Sequence, residues 1–376
     1  MKIAVNTRLL LKNKLEGIGW FTKETLQRIT KNHPEHEFIF FFDRKFDPSY
    51  IFSANVTGIV LSPQARHPIL YRLFFNWAVP RALKKVNADI FLSPDGFLSL
   101  RTSLPQLAVI HDLNFEHHPD ALPPTAVKYY LNYFPLFAKK AKRIATVSRF
   151  SKNDISKTYK INPELIDVVY NGANSAYKPL SEENIKEIRL KYSNGRPYFI
   201  FIGSLHPRKN LLNLLKAYEE FRSTTSFDFP LLIVGEAMWD KSDIEIEKSQ
   251  MTFKDDVKLL GRFQLSELSQ VLGAAFALTF IPLFEGFGIP ALEAMQSGVP
   301  VITSNTTSIP EVVGNAAIQC DPKDVNAICN AMKRVSEDDL YRIKMIENGI
   351  IQSHKFSWDQ SAKLLWESIE KTLSDA

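Results

Sequence analysis

Two glutamates flank a glycine-containing loop in the last third of the chain. Glu285 lies in "LFEGFGIP" (283–290), and Glu293 follows where the sequence becomes helical. Gly286 and Gly288 carry no side chain, so a ligand can come close to the backbone between the two carboxylates. Carboxylates accept hydrogen bonds from hydroxyl pairs such as those of sugars and riboses. We therefore expect Glu285, near the base of the loop, and Glu293, in the first helical turn, to hold the two ends of one ligand.

The same loop offers hydrogen-bond donors for an anion. Pro290 suits the first helical position because its missing amide proton would have no partner there, and the amides of residues 287–289 come just before it. Backbone amides at the start of a helix bind anionic groups. A sugar–diphosphate–ribose has this layout, with its charge in the middle. The alternative is structural, in which Glu285 caps the loop and Glu293 only favours the helix dipole.

A second loop–helix junction reads "FIGSLHPRKNLLNLL", with Arg208 and Lys209 just before a helix predicted from Asn210 to Phe221. The start of a helix is an unfavourable place for cations because the helix dipole is positive there. A phosphate bound between the cations and the exposed amides would reverse that penalty. The alternative is a solvated Arg–Lys pair without a ligand.

Short apolar runs alternate with helical segments along the whole chain. Buried parallel strands are predicted at "KIAV", "EFIFFF", "DIFLS", "LAVIHD" and "RIATVS", and again at "YFIFIG", "PLLIVG", "VKLLG", "FALTFI" and "PVITS". Two such series predict an α/β protein with two Rossmann-like, doubly wound parallel-sheet domains that face a cleft. We place these domains at residues 1–176 and 177–356. A helix in residues 357–376 is expected to pack back on the first domain.

Composition indicates a globular protein. The chain has 376 residues, of which 45% are hydrophobic and 23% charged, and this length is enough for two domains. No apolar run approaches the roughly 20 residues that span a bilayer, and the N-terminus reads as a strand rather than a signal peptide. Two cysteines are too few for a disulfide framework or a zinc site. We therefore expect a cytoplasmic, reduced protein.

Charge is distributed unevenly. Residues 1–170 contain 24 Lys and Arg against 14 Asp and Glu, whereas the rest contains 22 against 27. A basic first half suits an anionic partner, although a solvated surface can have the same composition. The segment "ILYRLFFNWAVPRALKKV" (69–86) combines aromatic and cationic residues on a helix with a bend expected at Pro80. This helix is either part of the core or a peripheral contact with the anionic cytoplasmic face of the membrane.

Together these motifs resemble the retaining glycosyltransferases of family 4 (glycosyl transferases group 1), which have the GT-B fold. The resemblance covers nearly the whole chain through "TVSRFSKNDI", "VVYNGAN", "GSLHPRKN", "FEGFGIPALEAMQSGVPVI", "SIPEVVGNAA" and "FSWDQSA". It implies a hexosyltransferase with a nucleotide-sugar donor. The segment "HDLNFEHHP" makes mannose from GDP-mannose our first expectation, with UDP-linked sugars left open. The implied acceptor is a glycan or a lipid-diphosphate-linked glycan, in cell-surface polysaccharide or glycoconjugate synthesis. We expect the domain of residues 1–176 to bind the acceptor and that of residues 177–356 to bind the donor.

The resemblance also implies roles for single residues. The catalytic residues would be Arg208, Lys209, Glu285 and His111. The donor would be bound by Gly17, Gly19, Gly203, Ser204, Phe263, Phe287, Gly288, Ile289 and Glu293. Arg208 and Lys209 would bind the diphosphate of the donor. Glu293 would bind the ribose hydroxyls, and Phe263 would line the nucleobase pocket. The alternative for the glycines of "GIGWF" is an ordinary loop before a helix. The alternative for His111 is a buried structural histidine beside Asp112.

No aspartate pair of the DxD type stands at a strand end, and Asp255 with Asp256 lies in a polar loop. We therefore expect transfer without a metal or other cofactor, with cations and amides stabilising the leaving diphosphate. The resemblance implies retention of configuration through front-face attack.

Other functions stay open. A sugar-nucleotide epimerase shares the GT-B fold, and a non-catalytic two-domain ligand-binding protein could use similar wound sheets. A dinucleotide-dependent oxidoreductase would need G-x-G-x-x-G after its first strand, which "VNTRLLLKNKLEGIG" lacks. We expect no nucleic-acid partner.

Overall fold

The structure, a computed structural model, describes residues 1–236 and 242–374. It consists of two compact units. The first unit comprises Met1–Gly172 and the segment from Ser357 onward, and the second comprises Ala173–Phe356. The chain thus leaves the first unit four residues before the expected domain boundary at 176/177 and returns to it at Ser357.

The first unit is built on a parallel sheet of seven strands within the described residues. These strands are β1 (Lys2–Asn6), β2 (Glu37–Phe42), β3 (Val56–Val60), β4 (Ile90–Ser93), β5 (Gln106–Val109), β6 (Arg143–Thr146) and β7 (Ile166–Val168). Their spatial order is β3-β2-β1-β4-β5-β6-β7. Strand β2 is buried at five of its six positions, as expected for a parallel strand covered on both faces.

Helices cover this sheet. They are α1 (Gly17–Asn32), α2 (Pro68–Leu73), α3 (Val79–Val86), α4 (Asn114–His117), α5 (Pro124–Lys140) and α6 (Arg149–Tyr159). A single π turn, Phe74–Ala78, joins α2 to α3. The bend expected at Pro80 is therefore replaced by a wider turn just before it, and Pro80 lies in the first turn of α3, where its missing amide proton is tolerated.

The second unit has a parallel sheet of six strands among its described residues. These are β8 (Phe199–Ile202), β9 (Leu231–Val234), β10 (Val257–Gly261), β11 (Ala277–Phe280), β12 (Val301–Ser304) and β13 (Ile318–Cys320). The accompanying helices are α7 (Glu182–Ser193), α8 (Leu211–Thr224), α9 (Ser242–Gln250), α10 (Leu265–Gly273), α11 (Ile289–Gln296), α12 (Ile309–Val313), α13 (Val325–Glu337) and α14 (Asp339–Ser353). The spatial order of the strands is β10-β9-β8-β11-β12-β13.

Both sheets reverse their winding at a defined place. In the first unit β1 lies between β2 and β4, and in the second unit β8 lies between β9 and β11. The order of the first six strands of each unit is therefore 3-2-1-4-5-6, the Rossmann order that we expected for both domains. Ligands of such sheets bind beyond the carboxyl ends of the strands at the switch point. The fold thus predicts ligand sites at the loops after β8 and β11 and at the loops after β1 and β4.

The chain ends on helix α15 (Trp358–Ser374), which packs against α1 in the first unit. Arg28 Nε lies 2.7 Å from Asp359 Oδ1, and the ring of Trp366 stacks on His33 with centroids 3.6 Å apart. A β-carbon on Gly172 would lie 2.4 Å from the backbone nitrogen of Trp358, so glycine is required where the chain enters this contact. These contacts fix the last helix on the sheet that begins the chain.

None of the helices in residues 1–236 and 242–374 combines the length and apolar content required to cross a membrane. The α2–α3 segment nevertheless exposes apolar side chains at intervals of four residues. Ile69, Leu73 and Trp77 are 63%, 47% and 53% exposed, while Phe74 and Phe75 on the other side are buried in the core. One face of this segment is therefore part of the core, and the opposite face is exposed. Contact of the exposed face with a membrane stays a prediction.

Candidate active site

The switch point of the second unit brings together the two loops that the sequence singles out. Because β8 and β11 are neighbours, the loops that follow them lie side by side. The amide of Leu283 donates to the carbonyl of Arg208 at 2.8 Å, and the side-chain amide of Asn210 donates to the carbonyl of Ile281 at 3.1 Å. These bonds hold the Arg-Lys segment against the glutamate loop.

Three charged side chains meet at this junction. One carboxylate oxygen of Glu285 contacts the ammonium group of Lys209 and lies 2.7 Å from Arg208 Nη1. The guanidinium also donates to the carbonyl of Phe284 at 3.1 Å. Lys209 and Glu285 are only 8% and 7% exposed. The alternative of a solvated Arg–Lys pair is therefore wrong, and we refer to Arg208, Lys209 and Glu285 as the ion cluster.

The local sequence explains the backbone conformation that positions Arg208 and Lys209. Residues Pro207–Lys209 form a 3₁₀ turn, and the His206 ring accepts a hydrogen bond from the amide of Arg208 at 3.2 Å. Asn210 adopts a left-handed conformation with φ of +63°, which asparagine tolerates better than most residues. Helix α8 begins only at Leu211. The cations thus belong to a turn before the helix and not to its first residues.

The glutamate loop is fixed by its own backbone. The amide of Glu285 donates to the Thr307 hydroxyl at 3.3 Å, and the Ser308 hydroxyl donates to the carbonyl of Glu285 at 2.8 Å. Gly288 has φ of +98°, and a β-carbon there would lie 2.5 Å from the end of the Ile309 side chain. Glycine is therefore needed for the turn into α11.

The donor-binding residues predicted around this turn have separate environments. The ring of Phe287 is buried and packs edge-on against Phe356, with centroids 5.5 Å apart. Ile289 is the first residue of α11 and Pro290 the second, one position later than we expected for the proline. The side chain of Phe287 thus belongs to the core, and only its backbone is suited to a ligand.

Glu293 lies in the second turn of α11, not in the first as predicted, since it is the fifth residue of the helix. This position weakens the alternative that Glu293 merely favours the helix dipole, because that effect is confined to the first turn. The half-buried carboxyl hydrogen-bonds with the hydroxyl of Tyr177. Burial raises the pKa of Glu293 to about 8, against an opposing effect of the Tyr177 hydrogen bond. At neutral pH this glutamate is therefore largely protonated.

Gly203 and Ser204 lie directly after β8. The amide of Gly203 donates to the carbonyl of Val234 at 3.0 Å, and the carbonyl of Ser204 accepts from the amide of His206 at 2.8 Å. A β-carbon on Gly235 would lie 1.8 Å from the carbonyl oxygen of Gly203, so the neighbouring loop must also be glycine. Gly203 and Ser204 thus form the start of the loop that carries the cations.

Phe263 lies further along the sheet. It follows the edge strand β10, two strands away from β8, and its half-buried ring is 5.7 Å from that of Tyr192. A position lining a nucleobase pocket is compatible with this location, because a nucleotide extends well beyond its diphosphate. The structure does not bring Phe263 into the ion cluster.

His111 is one of three predicted site residues in the first unit, with Gly17 and Gly19. Nε2 of His111 lies 2.8 Å from the carbonyl of Pro94. A carbonyl only accepts, so Nε2 carries the proton and Nδ1 of the neutral ring keeps its lone pair. Burial lowers the pKa of His111, which keeps the ring neutral. The carboxylate of Asp112 instead accepts from the backbone and side-chain amides of Asn114, at 3.0 and 2.7 Å.

Gly17 and Gly19 are the first and third residues of α1, so the glycine turn predicted at "GIGWF" is the first turn of a helix. Gly17 is exposed and Gly19 is buried. A β-carbon on Gly19 would lie 3.0 Å from the carbonyl oxygen of Leu9, which explains glycine at this position. The ring of Phe21, two residues later, packs edge-on against His111 with centroids 5.1 Å apart.

Among the described residues of the second unit, no group of potential metal-ligand side chains lies close enough together to hold an ion. In the part of the chain that the structure describes, one group of such residues lies close enough together to hold a metal ion, namely His33, Glu35 and His36 of the first unit. Asp256, the second residue of the Asp255–Asp256 pair, forms ion pairs with Arg196 and Arg222, each at 2.6 Å.

Two protein-family profiles match the chain. "Glycosyltransferase Family 4" matches residues 16–177 and "Glycosyl transferases group 1" matches residues 182–352. The chain is 30% identical over 370 residues to the O-antigen chain mannosyltransferase B of Escherichia coli, covering 96% of this chain and 97% of that protein. It is 27% identical over 288 residues to the O-antigen chain mannosyltransferase RfbU of Salmonella typhimurium, covering 75% of each.

Solved structures share the fold at low sequence identity. The sucrose-phosphate synthase of Thermosynechococcus elongatus aligns with a TM-score of 0.80 at 17% identity over the full length of both chains. HepE of Anabaena, crystallised with UDP-glucose, aligns with a TM-score of 0.76 at 18% identity over 99% of this chain and 100% of that one. Two doubly wound units of this kind define the GT-B fold. The chain belongs to glycosyltransferase family 4 and is a glycosyltransferase, as its motifs predicted.

Replacing Glu293 by Gln should flatten the pH dependence of stability. A carboxyl with a folded pKa of about 8 keeps a proton that the unfolded chain releases near its ordinary value of 4.5. Its contribution to stability is therefore complete below that ordinary value and is lost as the pH rises toward 8, by about 1.4 kcal/mol per pH unit for one proton.

Melting temperatures of both proteins between pH 5 and pH 8 measure this effect. The wild type should lose more stability across the interval than Glu293→Gln. Glu187→Gln, which changes an exposed carboxylate of α7, is the matched control and should follow the wild type. Parallel curves for wild type and Glu293→Gln would contradict a protonated Glu293.

Proposed function

We propose that this glycosyltransferase is a retaining mannosyltransferase. It transfers mannose from GDP-mannose to a glycan or a lipid-diphosphate-linked glycan in cell-surface polysaccharide synthesis. The choice of sugar is supported by the relatives named O-antigen mannosyltransferases, one of them similar over nearly the whole chain. The observation that carries a nucleotide-sugar donor is the ion cluster at the switch point of the second unit.

The ion cluster is suited to a departing diphosphate. Cleavage of the sugar–phosphate bond leaves negative charge on the diphosphate, and fixed cations at that position lower the barrier. The three side chains of the cluster carry a formal net charge of +1, and Lys209 is held in a poorly solvated place where its charge is weakly screened. A diphosphate competes with Glu285 for both cations. Glu285 is then available to accept a hydrogen bond from a hydroxyl of the transferred sugar.

Glu293 and Tyr177 are suited to the ribose. A largely protonated carboxyl both donates and accepts hydrogen bonds, so it matches a pair of ribose hydroxyls. Its partner Tyr177 has a pKa raised by burial and by the neighbouring glutamate, and its hydroxyl therefore stays protonated. The nucleoside then extends along the sheet toward Phe263. His111, neutral with a free lone pair on Nδ1, is assigned to a hydroxyl of the donor sugar by the family resemblance.

We propose that the transfer needs no metal ion, because the cations and the loop amides supply the charge that a metal would otherwise provide. Retention follows from front-face attack, in which the leaving phosphate oxygen takes the proton of the acceptor hydroxyl. Glu285 does not act as a covalent nucleophile in this scheme, because the acceptor hydroxyl attacks the sugar directly and the carboxylate accepts a hydrogen bond from the transferred sugar.

A donor panel tests this function. The purified protein is incubated with GDP-mannose, UDP-glucose and UDP-N-acetylglucosamine, each with and without excess EDTA, and release of nucleotide and sugar products is followed by NMR. We expect GDP-mannose to be consumed fastest, with retained anomeric configuration and no effect of EDTA. Faster consumption of a UDP-sugar would contradict GDP-mannose as the donor, and loss of turnover in EDTA would contradict metal independence. An epimerised product formed from UDP-N-acetylglucosamine alone would contradict the transferase reaction.

We further propose that the exposed face of α2–α3 contacts an anionic membrane. Ile69, Leu73 and Trp77 form an exposed apolar row, and Arg81 stacks on Trp77 at 3.7 Å. Residues 66–86 contain exposed basic side chains and no acidic residue. Apolar side chains within a basic surface are typical of peripheral membrane helices. Such a contact would bring a lipid-linked acceptor to the enzyme.

Vesicle flotation tests this contact. The wild type should float with vesicles containing anionic lipid at low salt and be released at high salt, because the basic residues are screened. Trp77→Ser with Leu73→Ser should bind vesicles several-fold less. Leu340→Ser, at an 81% exposed position of α14, is the matched control and should bind like the wild type. A wild type that stays unbound at low salt would contradict the proposal.

A further inference from the structure

The turn between α1 and β2 carries three potential metal ligands within four residues, His33-Pro34-Glu35-His36. One carboxylate oxygen of Glu35 faces both imidazoles, 3.5 Å from His33 Nδ1 and 3.3 Å from His36 Nε2. Each of the three side chains offers one ligand atom, and these atoms all lie within 4.8 Å of one another. We call His33, Glu35 and His36 the histidine turn.

The separations in the histidine turn suit a metal ion better than direct hydrogen bonds. A hydrogen bond from a charged nitrogen to a carboxylate is about 2.7–2.9 Å long, which is shorter than both nitrogen–oxygen separations here. Zinc lies about 2.0–2.2 Å from its nitrogen and oxygen ligands in a tetrahedral arrangement, which places neighbouring ligand atoms about 3.4 Å apart. Two edges of a zinc tetrahedron are therefore already formed.

The backbone of the turn is fixed by one asparagine. The side-chain amide of Asn55 donates to the carbonyls of His33 and His36, at 3.0 and 2.9 Å. It also donates to the carbonyl of Thr30 at 3.1 Å. The amide of His36 donates to the carbonyl of His33 at 3.2 Å, and Pro34 restricts the backbone between them. The ligands thus lie on a preformed turn and need not be assembled when a metal binds.

An indole ring holds the two imidazoles. The ring of Trp366 in α15 stacks on that of His33 with centroids 3.6 Å apart and on that of His36 with centroids 5.2 Å apart. Trp366 is buried, so the packing of α15 sets the position of its ring. Groups that orient metal-ligating rings typically account for about 10–100-fold in metal affinity. The folded protein therefore offers a better site than the same four residues in an unfolded chain.

The ligand set selects the class of metal. Imidazole nitrogens suit Zn²⁺, Ni²⁺ and Cu²⁺, whereas Mg²⁺ and Ca²⁺ prefer oxygen ligands. At neutral pH most histidine side chains are unprotonated and offer a lone pair. The side chain of Glu35 is exposed and both imidazoles are half-buried. An ion can therefore approach from solvent, and water can complete its coordination.

We propose that the histidine turn binds a zinc ion, with Nδ1 of His33, Nε2 of His36 and a carboxylate oxygen of Glu35 as its ligands. The ion is structural, because it fixes the turn on which Trp366 packs and so stabilises the contact of α15 with α1. It takes no part in sugar transfer. The proposal is therefore independent of the proposed function and of the metal independence of transfer.

Calorimetric titration with ZnCl₂ measures the binding, using the full chain without an affinity tag after EDTA treatment and dialysis. We expect one Zn²⁺ to bind per chain and MgCl₂ to give no binding. His33→Gln and His36→Gln should each weaken Zn²⁺ binding more than about 10-fold, since even the loss of an outer partner costs about 10–100-fold. Glu35→Gln should also weaken it, and this change of an exposed side chain leaves the packing of the turn intact.

His117→Gln is the matched control. The ring of His117 pairs with Asp154 at 2.8 Å in the same unit, and among the described residues no third ligand joins this pair. This variant should bind Zn²⁺ like the wild type. Saturating Zn²⁺ should raise the melting temperature of the wild type and of His117→Gln, because a ligand of the folded state stabilises it. It should not raise that of Glu35→Gln at the same concentration.

Three results would overturn the zinc site. They are absence of Zn²⁺ binding to the wild type, equal Zn²⁺ affinities in the wild type and all three variants of the histidine turn, and binding of Mg²⁺ as tight as that of Zn²⁺. A melting temperature of the wild type that saturating Zn²⁺ leaves unchanged would overturn the structural role.

Discussion

The contact of Lys209 and Arg208 with one carboxylate oxygen of Glu285 is the interaction on which the second unit's chemistry depends. Removing a lysine from water costs several kcal/mol unless an anion compensates it, and Glu285 provides that anion when no ligand is bound. The adjacency of β8 and β11 makes the contact possible, since the two residues that meet are 76 positions apart in the chain. The same pairing holds the two cations at the place where we propose that the diphosphate binds.

Glu285 and Glu293, the two glutamates of the loop–helix junction after β11, differ in chemistry because their surroundings differ. Glu285 is held by two cations, whereas Glu293 lies beside Tyr177, with no ion pair to any described residue, and burial raises the pKa of Glu293 to about 8. Glu285 is suited to being replaced by a diphosphate as the partner of the two cations, and Glu293 is suited to hydrogen bonding with hydroxyl groups. In the first unit, Arg8 and Asp95 form a buried ion pair whose charges compensate each other, and the ring of Phe97 lies beside the guanidinium.

The sequence predicted well what depends on local pattern. Strands such as "EFIFFF" are continuous apolar runs, and they coincide with observed strands because both faces of a parallel sheet are buried. It predicted poorly what depends on where a helix begins. The glycines of "GIGWF" are helical, Glu293 lies a turn later than expected, and the Arg-Lys pair precedes its helix. Helix boundaries depend on caps such as the left-handed Asn210, which tertiary contacts select.

Contacts between distant segments were not visible in the sequence. Arg8 and Asp95 are 87 residues apart, and no pattern marks either as a partner of the other. Tyr177 is the first residue of the expected second domain, and no sequence pattern marks it as a partner of Glu293, more than a hundred residues away. Both contacts form only when the chain is folded, so no local pattern marks them. For Arg8, its position just after the first strand of the unit was the available hint.

The central claim is that the ion cluster stabilises charge on a departing diphosphate, and the kinetics of Lys209→Ala test it most directly. The account predicts that kcat falls by about 10²–10³ while the KM for the donor changes by only a few-fold, because the lysine acts on charge that develops in the transition state. Lys216→Ala, which removes an exposed cation from helix α8 just after the turn that carries Lys209, should leave both constants unchanged. An unchanged kcat with a raised KM for Lys209→Ala would contradict the account.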